Sequence, residues 1–88
     1  MDQELNLHQI LRVFDHIRQH GERQGDDHVW QGLKANAGFD GYQVSISNGV
    51  ATIWINFHNS YQVDSPNHAA FEQLLRQITL LDQSLPTR

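Results

Sequence analysis

Apolar and polar residues alternate in two neighbouring stretches of the chain, residues 41–47 and 50–58. Such alternation is typical of β-strands that bury one face, and Asn48-Gly49 between them is a preferred pair for a two-residue hairpin turn. We therefore predict a β-hairpin whose register is determined by this turn. The residues directly opposite each other are then Ser47 and Val50, Ile46 and Ala51, Val44 and Ile53, and Tyr42 and Ile55.

The two faces of this hairpin differ in polarity. One face is apolar throughout, whereas the other is polar except for Val50 and Trp54. Because tryptophan is enriched at the strongest contacts of protein interfaces, we predict that this outer face binds a protein partner or a second copy. Trp30 on the neighbouring strand would extend the surface. The alternative is that Trp54 has no binding role, because single exposed apolar residues are common. It would then lie flat over its cross-strand neighbours or beneath residues 22–28.

Two other stretches repeat apolar residues with the period of an α-helix. The first covers residues 6–20, with Asn6 as its N-cap and Gly21 as the left-handed residue that ends it. The second starts with Ser65 as its N-cap and Pro66 at the first helical position. Each predicted helix therefore has one apolar face to bury.

The segment between the first helix and the hairpin is harder to interpret. Residues 22–28 are polar and lack a period, which indicates a loop, and residues 28–35 alternate as a short strand weakened by Gly32. Together the elements predict a single α+β domain spanning residues 1–88. Its order is helix, antiparallel meander of three or four strands, helix, with both helices on one face of the sheet.

The loop after the hairpin decides where two further apolar residues lie. A three-residue loop at 58–60 would place Tyr61 and Val63 on the apolar face. A two-residue loop at 59–60 would place both on the outer face and create an apolar patch there. We favour the three-residue loop because it adds two apolar residues to the core. It pairs Tyr61 with Phe57 and Val63 with Ile55.

Composition narrows the possible functions. The 88 residues carry a formal net charge of −4 with six scattered Lys and Arg, so we expect no nucleic-acid partner. The absence of cysteine fits a reducing compartment. The start, MDQELNLHQ, lacks the basic and apolar parts of a signal peptide, and no apolar run approaches the ~18 residues of a membrane span. We therefore expect a cytoplasmic protein without a membrane partner.

Three segments carry a resemblance: ILRVFDHIRQHGE at residues 10–22, GFDGYQVSISNG at 38–49 and INFHNSYQVD at 55–64. They are similar to a family of short uncharacterised proteins from marine and enteric gammaproteobacteria, described only as a domain of unknown function. FDGY at residues 39–42 and FHN at 57–59 are the more specific motifs. The resemblance implies a bacterial cytoplasmic protein and transfers no catalytic residue.

Histidines are the most suggestive candidates for chemistry, because six occur in the chain and three lie on the first predicted helix. His16 and His20 are four residues apart, so their rings can approach one divalent metal ion. Asp26, Asp27 or His28 could supply a third ligand and form a site suited to zinc, which could also support hydrolysis. The alternative is a solvated helix face with two imidazoles near a helix C-terminus.

Motifs for a nucleophile, a phosphate loop, a dinucleotide or paired catalytic carboxylates are missing from the sequence. The pair His58-Asn59 could form an acid–base cluster with Asp40 and Asp64, but such residues commonly bond the backbone in turns. We therefore predict no enzymatic activity and no cofactor. The predicted function is a non-catalytic protein-interaction or regulatory module, with a homodimer through the Trp54 face as one form of it. A divalent-metal-binding protein is the alternative.

Overall fold

A computed structural model of the chain describes residues 6–38, 43–56 and 60–85. Its elements are α1 (Leu7–His20), β1 (Glu22–Gln24), β2 (Asp27–Trp30), β3 (Leu33–Asn36), β4 (Gln43–Ser47), β5 (Thr52–Asn56), β6 (Tyr61–Asp64) and α2 (His68–Ser84). The strands form one antiparallel sheet in the order β1-β2-β3-β4-β5-β6. The predicted α+β class is therefore confirmed, but the count of three or four strands is wrong, since the described residues form six.

Both helices pack on one face of the sheet, which we call the helix-covered face. α1 and α2 contact each other, and α1 also packs against β2 and β3. Among the described residues, neither helix is long and apolar enough to cross a membrane. The buried side chains form one apolar cluster: Ile10, Val13, Phe14 and Ile17 from α1, Leu33, Ala35, Ile46, Ala51, Ile53 and Ile55 from the sheet and its β4–β5 loop, and Leu74, Ile78 and Leu81 from α2.

The additional strands come from residues 22–36, which the sequence predicts as a loop and one strand. Gln31 and Gly32 both have positive φ, 51° and 85°, as a type I′ turn requires. Trp30 therefore pairs directly with Leu33, and β2 and β3 form a hairpin. Gly32, predicted to weaken a strand, instead allows the chain to reverse.

The turn at Asn48 is displaced from its predicted position. Ser47 pairs with Thr52 rather than with Val50, and the Asn48 N–H donates to the Ala51 carbonyl at 3.2 Å, so the chain reverses at Gly49-Val50. The Asn48 side-chain oxygen accepts the backbone N–H groups of Val50 and Ala51, each at 2.9 Å. This arrangement is an Asx-type turn, in which the side chain replaces a backbone acceptor. The register moves by two residues, so the predicted apolar face is unchanged.

Both ends of α1 lie where they are predicted, but the conformation predicted for Gly21 is wrong. The Asn6 side chain accepts the Gln9 N–H at 3.1 Å, as an N-cap does. Gly21, however, is extended at φ −76° rather than left-handed. A Cβ built at Gly21 would lie 2.6 Å from the Ile17 carbonyl oxygen and 2.7 Å from that of Val29. The glycine therefore permits close approach between the end of α1 and β2.

The second helix begins two residues later than predicted. Its N-cap is Asn67, whose side chain accepts the Ala70 N–H at 2.8 Å, rather than Ser65. The Ser65 hydroxyl donates to the Asn67 carbonyl at 2.6 Å. Asparagine caps helices as well as serine does, so Asn67 can take the role predicted for Ser65. Pro66 therefore precedes the cap instead of occupying the first helical position.

A polar contact joins the start of α1 to the end of α2. The Arg12 Nε and Nη2 donate to the two Asp82 carboxylate oxygens, each at 3.0 Å, and Gln9 Nε2 donates at 3.2 Å. The Arg12 hydrogen bond lowers the pKa of Asp82, burial opposes this, and Gln9 and the Arg12 charge add to the lowering. This contact holds the first half of α1 against the last turn of α2.

The face predicted for Tyr61 and Val63 is correct, but their pairing and burial are not. Tyr61 pairs with Ile55 and Val63 with Ile53, so both lie on the helix-covered face. They remain 43% and 39% exposed. The backbone N–H of Asn56 donates to the Ser60 carbonyl at 2.8 Å, so the connection is residues 57–59 rather than 58–60. Its conformation, like those of Phe57 and Tyr42, lies outside the described residues.

Ile53 is fully buried between the sheet and the helices, so Ile53→Ala should create a cavity. We expect the free energy of unfolding to fall by about 2–5 kcal/mol. Chemical denaturation measures this loss. The control is Val50→Ala, at a 62% exposed position, which should change it by less than about 0.5 kcal/mol. A loss below about 1 kcal/mol for Ile53→Ala would contradict the assigned core.

Candidate functional site

The face of the sheet opposite the helices, which we call the outer face, carries the candidate site. Side chains alternate between faces along a strand, and residues paired across antiparallel strands share a face. Neither described helix covers this face, because both contribute to the single core cluster on the other side. The outer face comprises Glu22, Gln24, Asp27, Val29, Lys34, Asn36, Gln43, Ser45, Ser47, Thr52, Trp54, Asn56, Gln62 and Asp64.

Trp54 is the one aromatic residue among the described residues of the outer face. It lies on β5, directly opposite Ser45 on β4 and Gln62 on β6. Its side chain is partly exposed. The predicted segment at residues 22–28 cannot cover it, because β1 and β2 lie at the opposite edge of the sheet. The indole therefore rests among short or polar neighbours and keeps part of its surface open.

Polar contacts order the side chains around Trp54. Asn36 Nδ2 donates to the Asp27 carboxylate at 2.7 Å, and Lys34 Nζ lies 3.9 Å from the same carboxylate. Gln43 Nε2 donates to Asn56 Oδ1 at 2.7 Å. These contacts order the amide of Asn36, two strands from Trp54, and those of Gln43 and Asn56, two residues along β4 and β5 from the Ser45–Trp54 pair. Ordered amides can pair with a ligand at a lower cost in side-chain entropy.

Acidic groups predominate on the outer face. Glu22, Asp27 and Asp64 lie there with one basic residue, Lys34, whose ammonium group faces Asp27. The surface is therefore mildly negative, in keeping with the net charge of −4 for the whole chain. A basic or neutral ligand surface suits it better than an anionic one.

The structure does not bring all three predicted partner-binding residues together. Val50 lies in the β4–β5 loop, outside the strand pairing, and is 62% exposed. Trp30 pairs with the buried Leu33, so it lies on the helix-covered face and packs against the core instead of joining Trp54. The prediction that Trp30 lies on the outer face is therefore wrong. The turn at Gln31-Gly32 reverses the chain, so Trp30 and Leu33 pair and share the helix-covered face.

The predicted metal ligands His16 and His20 lie side by side. Their ring centroids are 4.5 Å apart, and the His16 ring also meets the Trp30 ring edge-on at 5.3 Å. The Trp30 indole nitrogen is buried without a hydrogen-bond partner among the described residues. His16 therefore packs against Trp30, whereas His20 lies on the exposed surface of α1.

The third metal ligand expected from residues 26–28 is not placed beside this pair. Asp27 lies on the outer face, where it contacts Asn36 and Lys34. His28 instead lines an open cleft together with Asp26 and Arg18. Within residues 6–38, 43–56 and 60–85, no three His, Cys, Asp or Glu are grouped closely enough to hold a metal ion. The alternative acid–base residues Asp40, His58 and Asn59 lie outside the described residues.

The environment of His16 favours its neutral form. Burial lowers the pKa of His16, the charge of His20 lowers it further, and Asp15 partly opposes both. Its folded-state pKa is thus below the usual value of about 6.5. Between these two values the unfolded chain binds more protons than the folded chain. The free energy of unfolding therefore falls as the pH drops through this window.

We expect an NMR titration to give a pKa below 6.5 for His16. In a His20→Gln variant the pKa of His16 should rise, because a neighbouring positive charge is removed. Thermal melting between pH 7.5 and 5.5 should show a smaller loss of stability for His16→Gln than for the wild type. An unchanged His16 pKa in the His20→Gln variant would contradict the coupling between the two rings.

Comparison with known proteins provides a family but no activity. No curated protein and no solved structure matches the chain. A family model with the description "Protein of unknown function (DUF3081)" matches residues 5–86. The FDGY and FHN motifs lie within this range but outside the described residues. Because the match spans nearly the whole chain, the protein belongs to the family described as Protein of unknown function (DUF3081).

Proposed function

We propose that this protein is a non-catalytic interaction or regulatory module that binds a partner protein through the outer face around Trp54. The observation that carries the proposal is the position of Trp54. A partly exposed indole stands among polar residues on a face that neither described helix covers. Burying it in a partner's pocket would remove apolar surface from water, and ordered amides nearby would supply hydrogen bonds.

The chemistry of the outer face also limits the partner. Asp27 and Asp64 favour basic groups at the rim of the contact, and Asn36, Gln43 and Gln62 can exchange hydrogen bonds with backbone or side-chain amides. The partner we propose is a protein surface with an apolar pocket for the indole and lysine or arginine around it. A phosphate-bearing partner is disfavoured by the same acidic residues.

Trp54→Ser should abolish capture of this partner. We expect affinity capture from bacterial lysate with the wild type to yield a stoichiometric protein, identified by mass spectrometry. Reconstituted from purified components, the complex should weaken by about 2 kcal/mol or more in Trp54→Ser, which is roughly 30-fold in Kd. Raising the salt concentration should lower the association rate, because the rim charges steer the encounter.

The matched control is Leu80→Ser, which removes a 61% exposed apolar side chain from α2, on the other side of the sheet. It should bind like the wild type. Equal binding by Trp54→Ser and the wild type, with the fold of both verified by circular dichroism, would sink the proposal. A partner lost equally in both variants would place the contact elsewhere.

Divalent-metal binding is the second candidate, and a specific observation favours it. The His16 and His20 rings approach to 4.5 Å between centroids, and His16 is biased towards the neutral form that metals require. The pair would supply part of a coordination shell, and the remaining ligands would be water or groups outside the described residues. Such a site would be open, as catalytic zinc sites are.

Isothermal calorimetry with Zn²⁺ tests this second candidate. For this candidate we expect one saturable Zn²⁺ site in the wild type. The site should be unchanged in His8→Ala and lost in His16→Ala/His20→Ala. His8 is the matched control because it is an exposed histidine on the same helix. No specific heat from the wild type would be fatal to metal binding, and it would leave the interaction proposal unaffected.

A further inference from the structure

The two edges of the sheet differ in what they offer another strand. β1 has three residues, Glu22–Gln24, and its side chains are charged or polar. Short, charged edge strands discourage pairing with other chains. β6 has four residues, all exposed, and alternates two apolar residues with two polar ones. The β6 edge is therefore the one suited to receive a further strand.

The backbone groups that β6 presents at this edge follow from its pairing with β5. The Asn56 N–H bonds the Ser60 carbonyl, so Ser60 and, by alternation, Gln62 and Asp64 direct their N–H and C=O groups towards β5. The N–H and C=O groups of Tyr61 and Val63 point outward. The side chains of these same two residues are apolar and 43% and 39% exposed.

We propose that β6 pairs antiparallel with β6 of a second copy, with Tyr61 of each copy opposite Val63 of the other. In this register the outward N–H and C=O groups of Tyr61 meet those of Val63 in hydrogen-bonded pairs. Each Tyr61 ring packs against a Val63 side chain on the helix-covered side, an aromatic and β-branched pair typical of stable cross-strand contacts. Both halves of the interface are the same, as a two-fold axis requires.

Charge and symmetry are compatible with this register. Gln62 faces Gln62 of the second copy at the axis, and Asp64 faces Ser60, so carboxylates do not oppose each other. The axis runs perpendicular to the sheet, which keeps the helices of both copies on one side. Since the opposite edge of each copy is the short, charged β1, pairing through β6 closes as a dimer and does not continue into a fibre.

A cysteine cross-link tests the register directly, since the chain contains no cysteine of its own. Gln62 lies at the axis in a non-hydrogen-bonded pair, where Cα atoms are about 4.5 Å apart, within the range that a disulfide spans. Gln62→Cys should therefore form a covalent dimer under mild oxidation. Asp64→Cys, an equally exposed position on the same strand and face, should remain monomeric on denaturing gels. Its two Cα atoms would be about 14 Å apart along the strands.

Sedimentation over a series of concentrations tests the association itself. The wild type, Leu80→Lys and Trp54→Ser should form a reversible dimer, while Val63→Lys should be monomeric because it places a charge in the apolar contact. Val63→Pro should also be monomeric, since it removes an outward N–H without removing a bond to β5. Circular dichroism verifies folding in each variant.

Three outcomes would overturn the proposal. The first is a wild type that stays monomeric at every concentration. The second is dimerisation of Val63→Lys and Val63→Pro as strong as that of the wild type. The third is a dimer lost in Trp54→Ser and kept in Val63→Lys, which would place self-association on the outer face. Failure of the partner-capture experiment alone would not affect this inference, because Trp54 takes no part in the β6 pairing.

Discussion

The packing of two amphipathic helices against one face of the sheet determines where the other side chains of the protein lie. Two helices side by side cover about 20 Å, since helix axes pack about 10 Å apart. Six strands at about 4.8 Å spacing extend over about 24 Å between the outermost strand axes. The helices therefore cannot cover every strand. Tyr61 and Val63 on β6 remain exposed on the helix-covered face for this reason, although their pairing places them on the same side as the core.

The alternation of apolar and polar residues in β4, β5 and β6 predicted correctly on which face of the sheet each side chain lies, although Tyr61 and Val63 stay exposed there. Both hairpin registers proved wrong by two residues, at Asn48 and at residues 57–59, and neither error changed a face. A shift by an even number of residues preserves the face on which each residue lies, so the assignment of faces is more robust to turn geometry than the pairing is. The start of α1 at Asn6 was equally predictable, because capping depends on local chemistry alone.

The turn conformations could not be predicted from the local conformational preferences of the residues. Gln31 takes a positive φ that is uncommon for glutamine, so the hairpin at Gln31-Gly32 had no strong signal, and Trp30 was assigned to the wrong face. Asn48-Gly49 has a strong signal, but the chain reverses one residue later, at Gly49-Val50. The Asn48 side chain caps this turn and also donates to Gln77 on α2 at 2.7 Å. At Asn48 a local side-chain cap and a tertiary contact act together. The outer face carries Trp54, as the hairpin pattern predicts, and the amides of Asn36, Gln43 and Gln62, whereas Trp30 lies on the helix-covered face.

The proposed β6 pairing has a consequence for the outer face. Ser45, Trp54 and Gln62 lie in one row across β4, β5 and β6, and Gln62 meets its own copy at the two-fold axis. The row would continue through the second copy to its Trp54. Three strand spacings then separate the two indoles, about 14 Å. Since the axis is perpendicular to the sheet, both indoles emerge on the same side.

A partner with two pockets at this spacing would bind far more tightly to the dimer than to a monomer, because the second contact forms within the complex. The edge strand and the exposed tryptophan, which are separate features of the monomer, would then act as one binding surface.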